Sequence, residues 1–255
     1  MDSMNMNNSQ DSVSPESPAK KSPSSHYPGT KDGYTLLSKS YMASLISCAV
    51  SAVCTILYLC YFFINPEAGE LSDDVSNVVG FILFSFSYGM INSLISLICF
   101  VLTIGFMLSG LKLCKSENYS YQKLMILYFV YILSTFVTYV LPVVFPRATM
   151  PKSVERLFPF ISFAFIMLLL RETGKLAKLL ALTDVNKQIN NTATCYVVIF
   201  VVVFLCTLSS RFIPAGGDKL TLIELIISFI TLICPVIYNL LLFRMCRKMS
   251  EALPE

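Results

Sequence analysis

Charge is scarce in the apolar part of this chain, so the few polar side chains found there must carry whatever chemistry it performs. Arg171, Glu172 and Lys175 directly follow the apolar run 158–170. If helix continues through them, Glu172 and Lys175 are i,i+3 neighbours on one face. Such a cluster at a membrane boundary is either an ordinary positive loop or a gate whose charges change partners between states. Asn92, Ser93, Thr138 and Tyr139 lie deep within apolar stretches and are the candidate substrate-binding residues by depth and polarity. Glu224 falls one turn into the last stretch. There an interfacial carboxylate that reaches water is the simpler reading, because a charge in hydrocarbon is costly unless paired or hydrated.

Catalysis is poorly supplied. The one histidine, His26, precedes the apolar region, and no H-E-x-x-H, G-x-S-x-G or paired intramembrane carboxylate occurs. No enzyme, catalytic residue or cofactor is expected. The nine cysteines show no zinc spacing, so no metal site is expected either, and most read as small buried hydrophobes. Cys114 and Cys246 lie just outside apolar stretches, where acylation is conceivable. A net charge of +3, scattered along the chain, gives no nucleic-acid surface.

The elements that position these residues are six long apolar stretches: Tyr41–Ile64, Val78–Leu111, Leu124–Phe145, Leu157–Leu170, Thr194–Phe212 and Leu220–Phe243. The chain is 55% hydrophobic and only 14% charged, with mean hydropathy +0.67. A soluble domain would be about one quarter charged. Roughly 20 apolar residues in a helix cross a hydrocarbon core about 30 Å thick. The expected class is therefore an all-α polytopic membrane bundle of about six transmembrane helices over 41–248. A disordered tail at 1–40, rich in Ser, Pro and Lys, precedes it, and a short tail at 249–255 follows.

Orientation comes from the positive-inside rule. Six spans with both termini cytoplasmic place fourteen Lys and Arg inside and five outside. Splitting the long second stretch near Tyr88–Asn92 gives seven spans and a count of ten against nine. Six spans are preferred. The second stretch must then tilt, protrude into the cytoplasm or bend near Gly89, and the sequons at Asn7, Asn118 and Asn190 stay cytoplasmic. Pro142, Pro159 and Pro235 permit bending, and the small residues Ala43, Ser47, Ser51 and Thr55, spaced by four, allow close approach of another helix.

From Leu124 onward the order of landmarks resembles the C-terminal half of equilibrative nucleoside transporters. A helix runs through Thr135–Pro142 to Phe145-Pro146, and the next is entered at Phe158-Pro159. That helix reaches Arg171-Glu172-Thr173-Gly174-Lys175, where the family carries an Asp-x-x-Gly-Arg type motif, and Arg211–Pro214 closes the following span. The acidic position of the motif is Arg171 here, and its arginine is Lys175. The resemblance implies a solute carrier for nucleosides or similar small polar metabolites, with the bilayer and such a solute as partners. It also implies about eleven spans, so a truncated, degenerate or dimerising relative follows, a homo-oligomer among these options. Two other readings stay open. Cys234-Pro235-Val236-Ile237-Tyr238 before Arg244–Lys248 looks like the end of the last span and the short following helix of rhodopsin-like receptors. A non-transporting membrane scaffold is the third.

Overall fold

In a computed structural model of the chain, residues 27–64, 75–118, 120–139, 157–209 and 222–253 are described. They form six α-helices: α1 Pro28–Ile64, α2 Val75–Glu117, α3 Tyr121–Tyr139, α4 Phe158–Leu179, α5 Thr183–Ser209 and α6 Leu222–Ala252. The all-helical class expected from the apolar stretches is the one observed, with no strand among the described residues.

Four helices, α1, α2, α5 and α6, contain segments long and apolar enough to cross a membrane. The apolar part of α3 is shorter, Tyr121–Val137, and α4 carries Arg171, Glu172, Lys175 and Lys178 in its second half. Apolar side chains cover the outside of the bundle: Ile91, Leu94, Leu97, Val101, Leu133 and Val198 are each more than half exposed. That surface suits lipid and is unsuited to water. The chain thus has the character of a multi-pass membrane protein.

Each helix packs against its neighbours in chain order, α1 on α2, α2 on α3 and so on to α6, and α6 returns to pack on α1. The six helices form a closed ring. The α1 start, the α2–α3 connection, the α4–α5 turn and the α6 end share one end of it, as side-chain contacts from Gly29 to Glu117 and from Thr35 to Ser250 require. All twelve described Lys and Arg residues lie toward this basic end: Lys31, Lys39, Lys112, Lys115, Lys123, Arg171, Lys175, Lys178, Lys187, Arg244, Arg247 and Lys248. It is the end that the positive-inside rule would put toward the cytoplasm.

Three sequence expectations change. Pro28–Ser40, assigned to the disordered tail by composition, are helical, and Tyr34, Leu37 and Ser40 are fully buried. The C-terminal boundary at 249 also moves, since α6 runs to Ala252 with Met249 and Leu253 buried. Composition misplaced both boundaries because polar and charged residues interrupt the apolar pattern there, although Tyr34, Leu37, Met249 and Leu253 are buried among neighbouring helices. Finally, α6 passes without a break from Pro235 through Arg244–Lys248, so no separate short helix follows Tyr238.

The second stretch is one unbroken helix through Gly89, about 64 Å long at 1.5 Å per residue, which removes the split that seven spans require. Its partner α1, about 55 Å long, lies antiparallel to it. Their seam runs through Gly33 and Gly110, then Ser40 to the Thr103 carbonyl at 2.9 Å, then Ser47 to Ser96 at 3.5 Å. The steps are seven residues on each helix, the repeat of a left-handed coiled pair. Of the small residues expected to admit a partner helix, Ser47 and Ser51 meet α2 here, at Ser96 and Asn92. α4 ends in a Schellman turn, with Leu182 N–H donating to Ala177 O at 2.9 Å and Ala181 at φ 54°, and α5 begins at once.

Candidate functional site

The interior of the ring is lined by tyrosines that sequence reading counted only as apolar bulk. Tyr34 and Tyr41 sit seven residues apart on α1, and Tyr121 and Tyr128 seven apart on α3. Seven residues are two turns of helix, so each pair shares a face about 10 Å apart along the axis. α1 and α3 are not ring neighbours, so side chains that meet between them do so across the centre.

The lower tier closes the basic end. Tyr34 Oη lies 2.6 Å from Tyr121 Oη and donates to Thr173 Oγ1 of α4 at 2.7 Å. Thr173 Oγ1 in turn donates to Leu169 O at 2.8 Å. Because Tyr34 has one proton and gives it to Thr173, Tyr121 must be the donor to Tyr34. A single directed chain of hydrogen bonds thus joins α3, α1 and α4, and all three side chains are fully buried. Below it, Glu117 at the end of α2 accepts from Gly29 N–H and Thr30 N–H, each at 2.8 Å, and from Thr30 Oγ1 at 2.6 Å. A carboxylate from one helix thereby caps the positive end of another.

The second tier is Tyr41, whose electrostatic surroundings hold the Cys246 thiol of α6 first and then the phenols of Tyr196 on α5, Tyr128 on α3 and Tyr238 on α6. Tyr128 packs on Phe165 with centroids 5.1 Å apart, and Tyr196 meets Tyr238 edge-on at 5.7 Å. Next to Tyr238 on α6, Asn239 is almost fully buried. Its Nδ2 donates to Pro235 O at 2.9 Å and lies 3.6 Å from Cys48 Sγ, two turns beyond Tyr41 on α1. Above these levels no described side chain of any helix is buried.

The residues expected to form a site are scattered. Asn92 faces α1, where its Oδ1 accepts from Ser51 Oγ at 3.1 Å, and so belongs to the α1–α2 seam. Ser93 is exposed. Thr138 and Tyr139 lie in the last turn of α3, and their side chains fall outside the described residues, as do Glu224's side chain and the Phe-Pro segment at 145–146. Helix does continue through Arg171, Glu172 and Lys175. Lys175 Nζ donates to Glu172 Oε1 at 2.6 Å within α4, while Arg171 is exposed. The charge pair is therefore internal to one helix, not between helices. It stands immediately beside Thr173, so it borders the lower tier.

Cys114 and Cys246 are fully buried, which removes them as acylation sites in this fold. No group of metal-binding side chains occurs among the described residues. The missed residues left one signal in the sequence, the seven-residue spacing of Tyr34–Tyr41 and Tyr121–Tyr128.

No protein-family model, curated protein or solved structure matches the chain. The site must be read from its own geometry. That geometry combines a membrane-type exterior, a ring whose axis is lined by phenol hydroxyls and one carboxamide, and a hydrogen-bonded seal at the basic end.

Proposed function

We propose that the chain is a facilitative solute carrier that moves a small, polar, uncharged metabolite of the nucleoside kind, on a helical plan similar to the C-terminal half of equilibrative nucleoside transporters. The observation that carries this reading is the hydrogen-bonded closure of a polar-lined ring at its basic end. A hydrogen-bonded seal at Tyr34, Tyr121 and Thr173 stands at the basic end, and among the described residues no side chain further from that end than the level of Cys48 and Asn239 is fully buried. Alternating access needs a polar axis with a barrier on one side of a central level, and helices able to rock against one another about it. The α1–α2 pair, zipped along its seam, is suited to move as one body against α3–α5. Glu172 and Lys175, next to Thr173, are placed to brace the closed end.

A receptor of serpentine type would need its amino terminus outside. The start of α1 instead shares the basic end with every described Lys and Arg, which favours the carrier.

The test is uptake of labelled uridine into liposomes containing the purified protein. Expected is saturable entry, blocked by excess unlabelled uridine and independent of a sodium or proton gradient. Entry equal to that of protein-free liposomes, for uridine and for a panel of neutral nucleosides and nucleobases, overturns the proposal.

A further inference from the structure

We infer that Tyr41 is the contact residue of a binding site in the second tier, for an uncharged solute that offers a carbonyl oxygen or ring nitrogen to a phenol and a flat face to aromatic rings. The inference rests on the carrier reading for how solute reaches the tier, though binding itself can be measured apart from transport.

The argument begins with an unmet hydrogen bond. Tyr41 is 4% exposed, and its hydroxyl has no hydrogen-bond partner. Buried hydroxyls are nearly always partnered, because desolvation without a compensating bond costs free energy. One tier below, every hydroxyl of the Tyr34–Tyr121–Thr173 chain is satisfied. Two side-chain oxygens share Tyr41's condition, Gln122 Oε1 and Asn186 Oδ1. Both sit in the first turns of α3 and α5 at the basic end, whereas Tyr41 stands further along the axis.

The surroundings define the class of ligand. The ionisable groups in the electrostatic surroundings of Tyr41 are the Cys246 thiol of α6 and then the phenols of Tyr196 on α5, Tyr128 on α3 and Tyr238 on α6, so the polar groups around it are a thiol and phenols. The charged residues nearest on α6, Arg244 and Arg247, are exposed, and Glu172 is occupied by Lys175. A charged solute would thus find no counter-charge at this depth, where an unpaired ion is strongly disfavoured. A neutral solute with an acceptor would satisfy Tyr41 and stack on its neighbours. The sealed tier beneath would hold it at this level.

The experiment uses matched neutral and anionic probes, uracil against orotate and nicotinamide against nicotinate, in thermal-shift titrations of the detergent-purified full chain. Uracil or nicotinamide is expected to raise the melting temperature, and orotate and nicotinate are not. In Tyr41→Phe the half-saturating concentration of the neutral probe should rise roughly three- to tenfold, the worth of one hydrogen bond. The unliganded variant should melt at or above the wild-type temperature, since it loses a hydroxyl that bonds nothing. A lower melting temperature for unliganded Tyr41→Phe would make the hydroxyl structural and overturn the inference. So would unchanged probe binding in that variant, equal binding of the anions, or no shift with any of the four. Binding without uptake into liposomes removes the carrier reading and leaves the site. Uptake that Tyr41→Phe does not alter removes the site and leaves the carrier.

Discussion

At the scale of single residues, burial divides the polar side chains into those that complete a network and those that need one. Glu172 belongs to the first kind. Its side chain is 8% exposed and its partner Lys175 is 55% exposed, so the pair leads a buried carboxylate out to water. Removing the lysine leaves the carboxylate uncompensated, whereas removing both charges leaves nothing to compensate. Lys175→Met is therefore expected to lower stability by about 1–3 kcal/mol, and Glu172→Gln with Lys175→Met to recover most of that loss. Denaturant titration in mild detergent, followed by helical circular dichroism, checks it. A double variant no better than the single one would mean that Glu172 is not held by Lys175. This pair was legible in the sequence, since i,i+3 spacing on a helix suffices to place it. The tyrosine tiers were less so, because Tyr34 and Tyr121 lie 87 positions apart and meet only when α1 and α3 face each other across the ring. The partner of Asn92 was hidden for the same reason. Depth and polarity were evident, but the seam with Ser51 that absorbs its side chain depends on helix pairing.

At the scale of elements, the α1–α2 pair is set by close approach and not by apolar bulk. Within lipid no hydrophobic force draws helices together, so van der Waals contact and interhelical hydrogen bonds must do so. Gly33 and Gly110 are where the backbones come nearest. A Cβ on Gly33 would stand 2.5 Å from Cys114 Sγ and 2.8 Å from Gly110 O, and a Cβ on Gly110 would stand 2.8 Å from Gly33 O. The obstructing atoms include backbone, so the helices must separate. Gly33→Ala and Gly110→Ala are each expected to destabilise by about 1–3 kcal/mol, the usual cost of overpacking. Gly89 and Gly105 on α2 have nothing within 4 Å of a built Cβ. There alanine should be neutral or stabilising by up to about 1 kcal/mol, because it favours helix more than glycine does. Melting of the four variants in one detergent checks the contrast, and equal effects at Gly33 and Gly89 would contradict the seam. The existence of each helix was legible from hydropathy. Its end at the basic side was not, because α1, α5 and α6 each run nine or more residues past the apolar stretch that announced them.

At the scale of the whole molecule, the decisive feature is that the ring closes through its first and last helices. Hydropathy could number the spans and charge could orient them, but neither says which helices touch. Closure makes α1 the neighbour of both α2 and α6, so motion of α1 is coupled to both ends of the chain. The junction is polar at the basic end: Thr35 Oγ1 and Ser250 Oγ are 2.6 Å apart, and Ser250 Oγ also donates to Lys31 O at 3.3 Å. Two oxygens at that separation mark positions where two sulfurs, about 2.05 Å apart in a disulfide, can join with little backbone movement. Thr35→Cys with Ser250→Cys is therefore expected to cross-link under mild oxidant. After cleavage at a protease site inserted between α5 and α6, the two fragments should run together without reductant and separate with it. Failure to cross-link would break the ring between α1 and α6. If the carrier rocks α1 and α2 against the remaining helices, the oxidised protein should also lose uptake and regain it on reduction. Uptake that continues in the cross-linked form would keep α1 and α6 in one moving body, and would place the moving boundary at α2–α3 and α5–α6 instead.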